Sequence, residues 1–356
     1  MTIRIGTAGG GTFGELHLQT FSLLQRQGRC VLAGLADPSE EIRGNRAEKY
    51  GVRTYSDVAE MIDREKLDAV TVATPDPAHL PVVLTALEAG CHVFVEKPMD
   101  VTVEGCRAMV DAARAGNRLL QVDFHKRFDP FHAQVREAVA DGRIGEPLYG
   151  YAWMEDRIEV PSKWFPGWAP RSSPAWFLGS HMLDLFRWMT GGPRAVRVFA
   201  TGARKRLSAM GVDTWDCLNA KIEFEGGLSF ALDTSWVLPD GFEAVVNQGI
   251  RLVGTEGIAE IDSQDRGAAV CYGGATQQTI NPGFQFVSTD PHGNPRYVGY
   301  GYDSIADFAD NVNFLKEGGT LDSLAGRYPD GEDGLEVTRI LCAIHESAET
   351  GNVVTL

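Results

Sequence analysis

The chain has 356 residues, 44% hydrophobic and 23% charged, the composition of a folded protein long enough for two hydrophobic cores. Its formal net charge of −15 opposes a phosphate backbone, and no block of Lys and Arg reverses that field locally, so nucleic acid is excluded as an expected partner. No apolar run reaches bilayer-spanning length, and the six cysteines carry no CxxC pair or His-rich neighbour, which speaks against a membrane span, a zinc site or a disulfide framework.

Residues Met1 to Ala8 read as a strand and leave no room for a signal peptide, so the expectation is a cytoplasmic protein. The strand Ile3–Ala8 runs into Gly9-Gly10-Gly11-Thr12-Phe13-Gly14, a GxGxxG turn that allows close backbone approach to a pyrophosphate and opens a helix whose first N–H groups face it. Gly9, Gly11, Thr12, Phe13 and Gly14 are therefore candidate cofactor contacts. A second strand, Val31–Asp37, ends on Asp37, an acceptor for the ribose hydroxyls of NAD; Pro38-Ser39 follow it with no immediate Arg for a 2′-phosphate, although Arg43 is near. NAD is favoured over NADP. The alternative is that Asp37 only caps the next helix.

Further strands are expected at Ala69–Ala73, His92–Glu96 and Leu119–Val122, with amphipathic stretches between them; one of these, carrying Cys106, Met109, Val110 and Ala113, ends at Gly116 as a left-handed cap. Residues 1–123 thus read as an α/β Rossmann domain, a doubly wound parallel sheet. After Asp129 come a helical stretch to about Ala140, a strand at Leu148–Met154 and a Trp- and Pro-rich segment from Arg157 to Trp176. Then β-like runs follow at Thr214–Glu225, Leu228–Trp236 and Ile250–Asp262, and helices at Ser304–Glu317 and Gly331–Ala348. Residues 124–356 read as an α+β domain with an antiparallel sheet, whose last helix can pack back on the first domain. Trp164, Trp168 and Trp176 suit either a platform for a sugar ring or a hydrophobic cover, and Arg157, Lys163 and Arg171 suit either an anionic substrate group or solvent.

The sequence resembles the glucose-fructose oxidoreductase/inositol dehydrogenase (Gfo/Idh/MocA) family along nearly its whole length. The likeness is carried by the glycine turn followed by His17, Ala73-Thr74-Pro75 with His79, Glu96-Lys97-Pro98, Arg127-Phe128-Asp129-Pro130, Gly179-Ser180-His181 with Asp184, and Gly254-Thr255-Glu256-Gly257. It implies NAD(P)-dependent oxidation or reduction of a sugar, polyol or sugar derivative, with Lys97 and His181 as the catalytic pair and Thr74, Pro75, His79, Glu96 and Lys97 at the cofactor. A lysine at a strand end can stabilise developing alkoxide charge, and a histidine can take a hydroxyl proton near neutral pH. Many members of the family carry an aspartate four residues before this histidine; this chain has Phe177. Asp184, Asp156 and Asp123 are candidate replacements, with His125, Arg127, Arg157, Trp164, Trp176 and Phe177 as further substrate-facing candidates; Asp184 has the alternative of pairing with Arg187 along its helix. Two other functions stay open: an enzyme that oxidises and re-reduces one substrate transiently, as glycoside-cleaving relatives do, and a dinucleotide-binding sensor without turnover. The resemblance also implies a large open, mostly antiparallel C-terminal sheet and a homodimer or homotetramer formed through it.

Overall fold

Six short strands, β1 (Ile3–Ala8), β2 (Cys30–Ala36), β3 (Arg53–Tyr55), β4 (Ala69–Val72), β5 (His92–Val95) and β6 (Leu120–Val122), form a parallel sheet in the order β3-β2-β1-β4-β5-β6. Four of them, β1, β2, β4 and β5, are apolar almost throughout because helices cover both faces of the sheet. The crossovers are α1 (Thr12–Arg26), α2 (Glu40–Tyr50), α3 (Val58–Glu65), α4 (His79–Glu88) and α5 (Val103–Gly116). Each of α2, α3 and α5 starts where a Ser, Asp or Thr side chain accepts a backbone N–H. The left-handed cap of α5 is Asn117 at φ 50, not the expected Gly116, which stays helical; Asn is the other residue that adopts this conformation readily.

This computed structural model describes residues 2–262, 268–271, 278–280, 283–293 and 295–356. The chain divides into two units, Met1–His125 with Gln285–Leu335, and Lys126–Phe284 with Glu336–Leu356. The expectation ran the second domain unbroken to residue 356, whereas residues 285–335 return to the first unit. There the helix Tyr300–Lys316 packs on α1, Phe308 lies against Phe94 at 5.3 Å between ring centroids, Ser304 Oγ donates to Asp123 at 2.6 Å, and Val122 N–H donates to the Pro329 carbonyl at 2.9 Å.

In the second unit a sheet is built from β7 (Pro147–Arg157), β8 (Ala195–Ala203), β9 (Cys217–Phe224), β10 (Ser229–Leu238), β11 (Val246–Gly254), β12 (Ile258–Asp262) and the final strand Val354–Thr355. Its order is β12-β11-β7-β10-β9-β8 and then the final strand; all pairs are antiparallel except β7 with β10, which run parallel. The run expected at 250–262, with the turn signal Gly254-Thr255-Glu256-Gly257 inside it, is two strands folded at that turn, where a side chain on Gly254 would lie 2.1 Å from the Ile144 carbonyl oxygen. Burial alternates along β7, β9 and β10 because helices α6 (Pro130–Ala140) and α7 (Ser180–Met189) cover one face only. The other face presents Tyr149, Tyr151, Phe199 and Ile258 as exposed side chains. Among the described residues no helix is long and apolar enough to cross a membrane.

Candidate functional site

The glycine turn carries its geometry in its backbone. Gly9 adopts φ +91, and a side chain there would lie 2.5 Å from the Ala73 carbonyl oxygen; one on Gly14 would lie 1.9 Å from the Gly9 oxygen. Gly11, by contrast, has open space beside it and caps α1 without a side-chain hydrogen bond, so the first N–H groups of a 15-residue helix are left for an anion. Asp37 is tied to this turn: Oδ2 accepts the Gly10 N–H and Oδ1 the Ser39 N–H, each at 2.8 Å. The side-chain cap of α2 is Ser39 and not Asp37. Arg43 spends its guanidinium on the Asp37 and Pro38 carbonyl oxygens, at 2.7 and 2.9 Å. Thr74, on the loop that crowds Gly9, has a buried hydroxyl with no protein partner, and Pro75 beside it is exposed. Open helix amides, an acidic strand end and an unsatisfied hydroxyl fit a dinucleotide.

The turn after β5 bears Glu96, Lys97 and Pro98. Glu96 is buried, with Oε1 3.2 Å from His17 Nε2 and Oε2 accepting the Lys97 N–H at 3.3 Å. Lys97 is nearly buried, and its ammonium lies 5.8 Å from the Phe13 ring centroid. His79 departs from expectation: it is fully buried, its Nδ1 3.0 Å from the Pro98 oxygen and 3.3 Å from the Met99 oxygen, its Nε2 2.8 Å from the Thr74 oxygen. It therefore holds the backbone under the cofactor loops rather than the cofactor. Asp123 and His125 are likewise turned into the first unit. Burial works to raise the Asp123 carboxyl, but His125 at 3.6 Å, His17 and the Ser304 hydroxyl hold it below the usual carboxylate range. His125 stacks on Tyr300 at 5.5 Å.

In the second unit His181 opens α7 and is almost wholly buried. Arg127 and Asp184, both expected to face substrate, form a buried bidentate pair at 2.9 Å (Nε to Oδ2) and 2.5 Å (Nη2 to Oδ1). The alternative partner, Arg187, donates instead to the Pro193 and Gly192 carbonyl oxygens. Arg157 is spent on Glu159 and on the carbonyls of Asp240 and Phe242. The three tryptophans of the irregular segment do not form one platform. Trp164 is half exposed, Trp176 is buried in a stack on His345 at 4.9 Å, and Trp168 packs against Phe165, Phe177 and Trp236 at centroid distances of 5.1–6.2 Å. Asp156 is buried on the helix-covered face of β7, opposite Val246 of β11. Two side chains escaped the sequence reading. Lys126 is a buried lysine donating to the Gln248 amide oxygen, and Trp236 completes the aromatic cluster. Lys126 carried a signal, a basic residue directly after Asp-Phe-His, whereas Trp236 read as an ordinary strand aromatic.

Comparison with known proteins covers both halves of the chain. The profile described as "Oxidoreductase family, NAD-binding Rossmann fold" matches residues 3–124, and that of the GFO/IDH/MocA C-terminal domain matches residues 132–260. The D-glucoside 3-dehydrogenase of Escherichia coli (strain K12) is 30% identical over 332 residues, 87% of this chain and 86% of that protein. The inositol 2-dehydrogenase of Rubrobacter xylanophilus is 29% identical over 290 residues, 79% of this chain and 77% of that protein. Among solved structures, scyllo-inositol dehydrogenase from Lactobacillus casei with NAD(H) and scyllo-inositol bound has the same fold, with a TM-score of 0.78 at 20% identity over 100% of this chain and 99% of that one.

Proposed function

This chain belongs to the GFO/IDH/MocA oxidoreductase family, and from that premise we propose that it is an NAD-dependent dehydrogenase acting on a CH–OH group of a sugar, polyol or sugar derivative. The observation that carries the reading is the open, uncapped glycine turn with Asp37 fastened beside it, in a chain whose two halves both match one redox family. Gly9, Gly11, Thr12, Phe13, Gly14, Asp37, Thr74 and Pro75 would hold the dinucleotide, which when bound supplies the two-electron acceptor. Lys97 would hydrogen-bond the reacting oxygen and stabilise its developing negative charge, and His181 would accept its proton. The first unit, Met1–His125 with Gln285–Leu335, would serve the cofactor, and the second, Lys126–Phe284 with Glu336–Leu356, the substrate.

Phe177 precedes His181 by four residues in continuous helical backbone, so the two share a face. With Phe165 and Trp168 it offers a half-buried aromatic wall where the family more often has a carboxylate, which supports a substrate with an apolar C–H face such as a pyranose ring. The exposed tyrosines, Phe199 and Ile258 on the open sheet face support self-association, and cytoplasmic residence accords with Cys30 and Cys91, whose thiols burial pushes up to about 12 and about 11. The test is a panel of polyols, aldoses and pyranosides assayed for NADH formation. Lys97→Ala and His181→Ala should each slow turnover at least about tenfold while NAD still binds; a chain that binds NAD yet forms no NADH with any of the panel would leave the proposal without support.

A further inference from the structure

Two buried imidazoles grip the turn that carries Lys97, one from each side. His17 projects from α1 and fixes the Glu96 carboxylate, whose other oxygen takes the Lys97 N–H. His79 projects from the first turn of α4 and reaches the carbonyl oxygens of Pro98 and Met99, the next two residues, while its other nitrogen faces the Thr74 carbonyl at the end of the neighbouring strand β4. Both rings are fully buried, His17 against Phe94 at 5.5 Å. From Glu96 to Met99, every residue is thus bonded directly to one of the two imidazoles or through one carboxylate. A lysine side chain has four rotatable bonds and is a poor catalyst unless its stem is fixed, since a misplacement of about 1 Å can cost about 10²-fold in rate.

We infer that His17 and His79 are positioning residues for Lys97, holding its backbone so that its ammonium stands at the reacting oxygen. This rests on the catalytic reading of Lys97 given above. The two histidines act through different ring atoms, and that difference makes the inference testable. His17 uses Nε2, which a Gln amide imitates and an Asn amide does not reach. His79 uses Nδ1 toward the turn, which an Asn amide imitates; a Gln amide imitates only the Nε2 side, toward Thr74. His79 faces carbonyl oxygens on both sides, and the turn side, toward Pro98 and Met99, is the one that governs Lys97.

The experiment takes the full-length protein and its His17→Gln, His17→Asn, His79→Asn, His79→Gln and Lys97→Ala variants through steady-state kinetics, NAD titration and amide hydrogen exchange at Lys97 and Met99. The expected pattern is crossed: H17Q and H79N recover most of the turnover, while H17N and H79Q lose about 10²-fold in kcat with NAD affinity within about threefold of the parent. Exchange at Lys97 and Met99 should speed up in H17N and H79Q alone. Equal losses for Asn and Gln at both positions, or turnover falling in step with NAD affinity, would overturn the inference. Full turnover in K97A would instead overturn the catalytic reading of Lys97, and the exchange pattern would still decide whether the imidazoles hold the turn.

Discussion

His92 makes the stability of the first unit depend on acid in a way the structure quantifies. It begins β5 with Nδ1 accepting the Leu119 N–H at 2.9 Å, which fixes the join to β6. Burial, and then the charge of Arg118, lower its pKa from 6.5 to about 4. The folded state thus prefers the neutral ring: its contribution is complete above pH 6.5 and is lost as pH falls toward 4. At 1.36 kcal/mol per pH unit the full loss is about 3 kcal/mol, of which about 2.5 kcal/mol is gone by pH 4.5. The parent protein alone would hide this, because burial raises Asp307 to about 6 and adds stability over much of the same interval. His92→Asn keeps an acceptor for the Leu119 N–H and does not titrate, so the difference between parent and variant isolates the ring. All seven tryptophans lie in the second unit, so indole fluorescence is blind to this region. Urea unfolding followed by far-UV circular dichroism, with hydrogen exchange at Val93 and Leu119, is the suitable assay. The variant should gain about 2.5 kcal/mol on the parent between pH 7.5 and 4.5; a difference constant to within about 0.5 kcal/mol over that range would refute the reasoning.

Gly14→Ala should abolish NAD binding measured by calorimetry, because its methyl group would lie 1.9 Å from the Gly9 oxygen; binding within tenfold of the parent would show that the turn can yield. Asp37→Ala should weaken NAD by about tenfold and narrow its advantage over NADP, as judged by kcat/KM for the two cofactors, with Arg43 left beside the vacated position. Asp184→Asn should cost about 3–5 kcal/mol in urea unfolding of the second unit, since it removes the charge opposite a buried Arg127, and should leave NAD affinity unchanged. Phe177→Leu should lower kcat/KM for pyranosides more than for acyclic polyols; a uniform effect on the panel would place the ring in the core and not at the substrate.

Five strands of the first sheet were legible because glycine turns, caps and short apolar runs are local signals, and β1, β2, β4, β5 and β6 begin and end within one or two residues of expectation, whereas the three-residue edge strand β3, with no buried side chain, was not expected. The return of residues 285–335 was not, because nothing in the periodicity of Ser304–Glu317 says which sheet it will cover. Strand β8 passed unnoticed since it buries little beyond Ala195, Val198 and Ala200, side chains of modest size. At the site, sequence found residue types and missed their partners. Arg127 and Asp184 were expected to face substrate, yet they pair with each other, and His79 bonds the backbone. Such pairings join residues 57 and 19 positions apart, beyond the reach of any local pattern.

Because the polypeptide leaves the first unit at His125 and re-enters it only at Gln285, that unit cannot be finished early in synthesis. Ser304, Phe308 and Pro329, which meet Asp123, Phe94 and Val122, emerge from the ribosome roughly two hundred residues after their partners. An amino-terminal fragment ending near residue 125 would leave Phe94 uncovered and the Asp123 carboxylate without its hydroxyl. During translation the nascent chain must therefore keep a half-covered sheet soluble until the later segment arrives, and the second unit, which needs Glu336–Leu356, is completed later still.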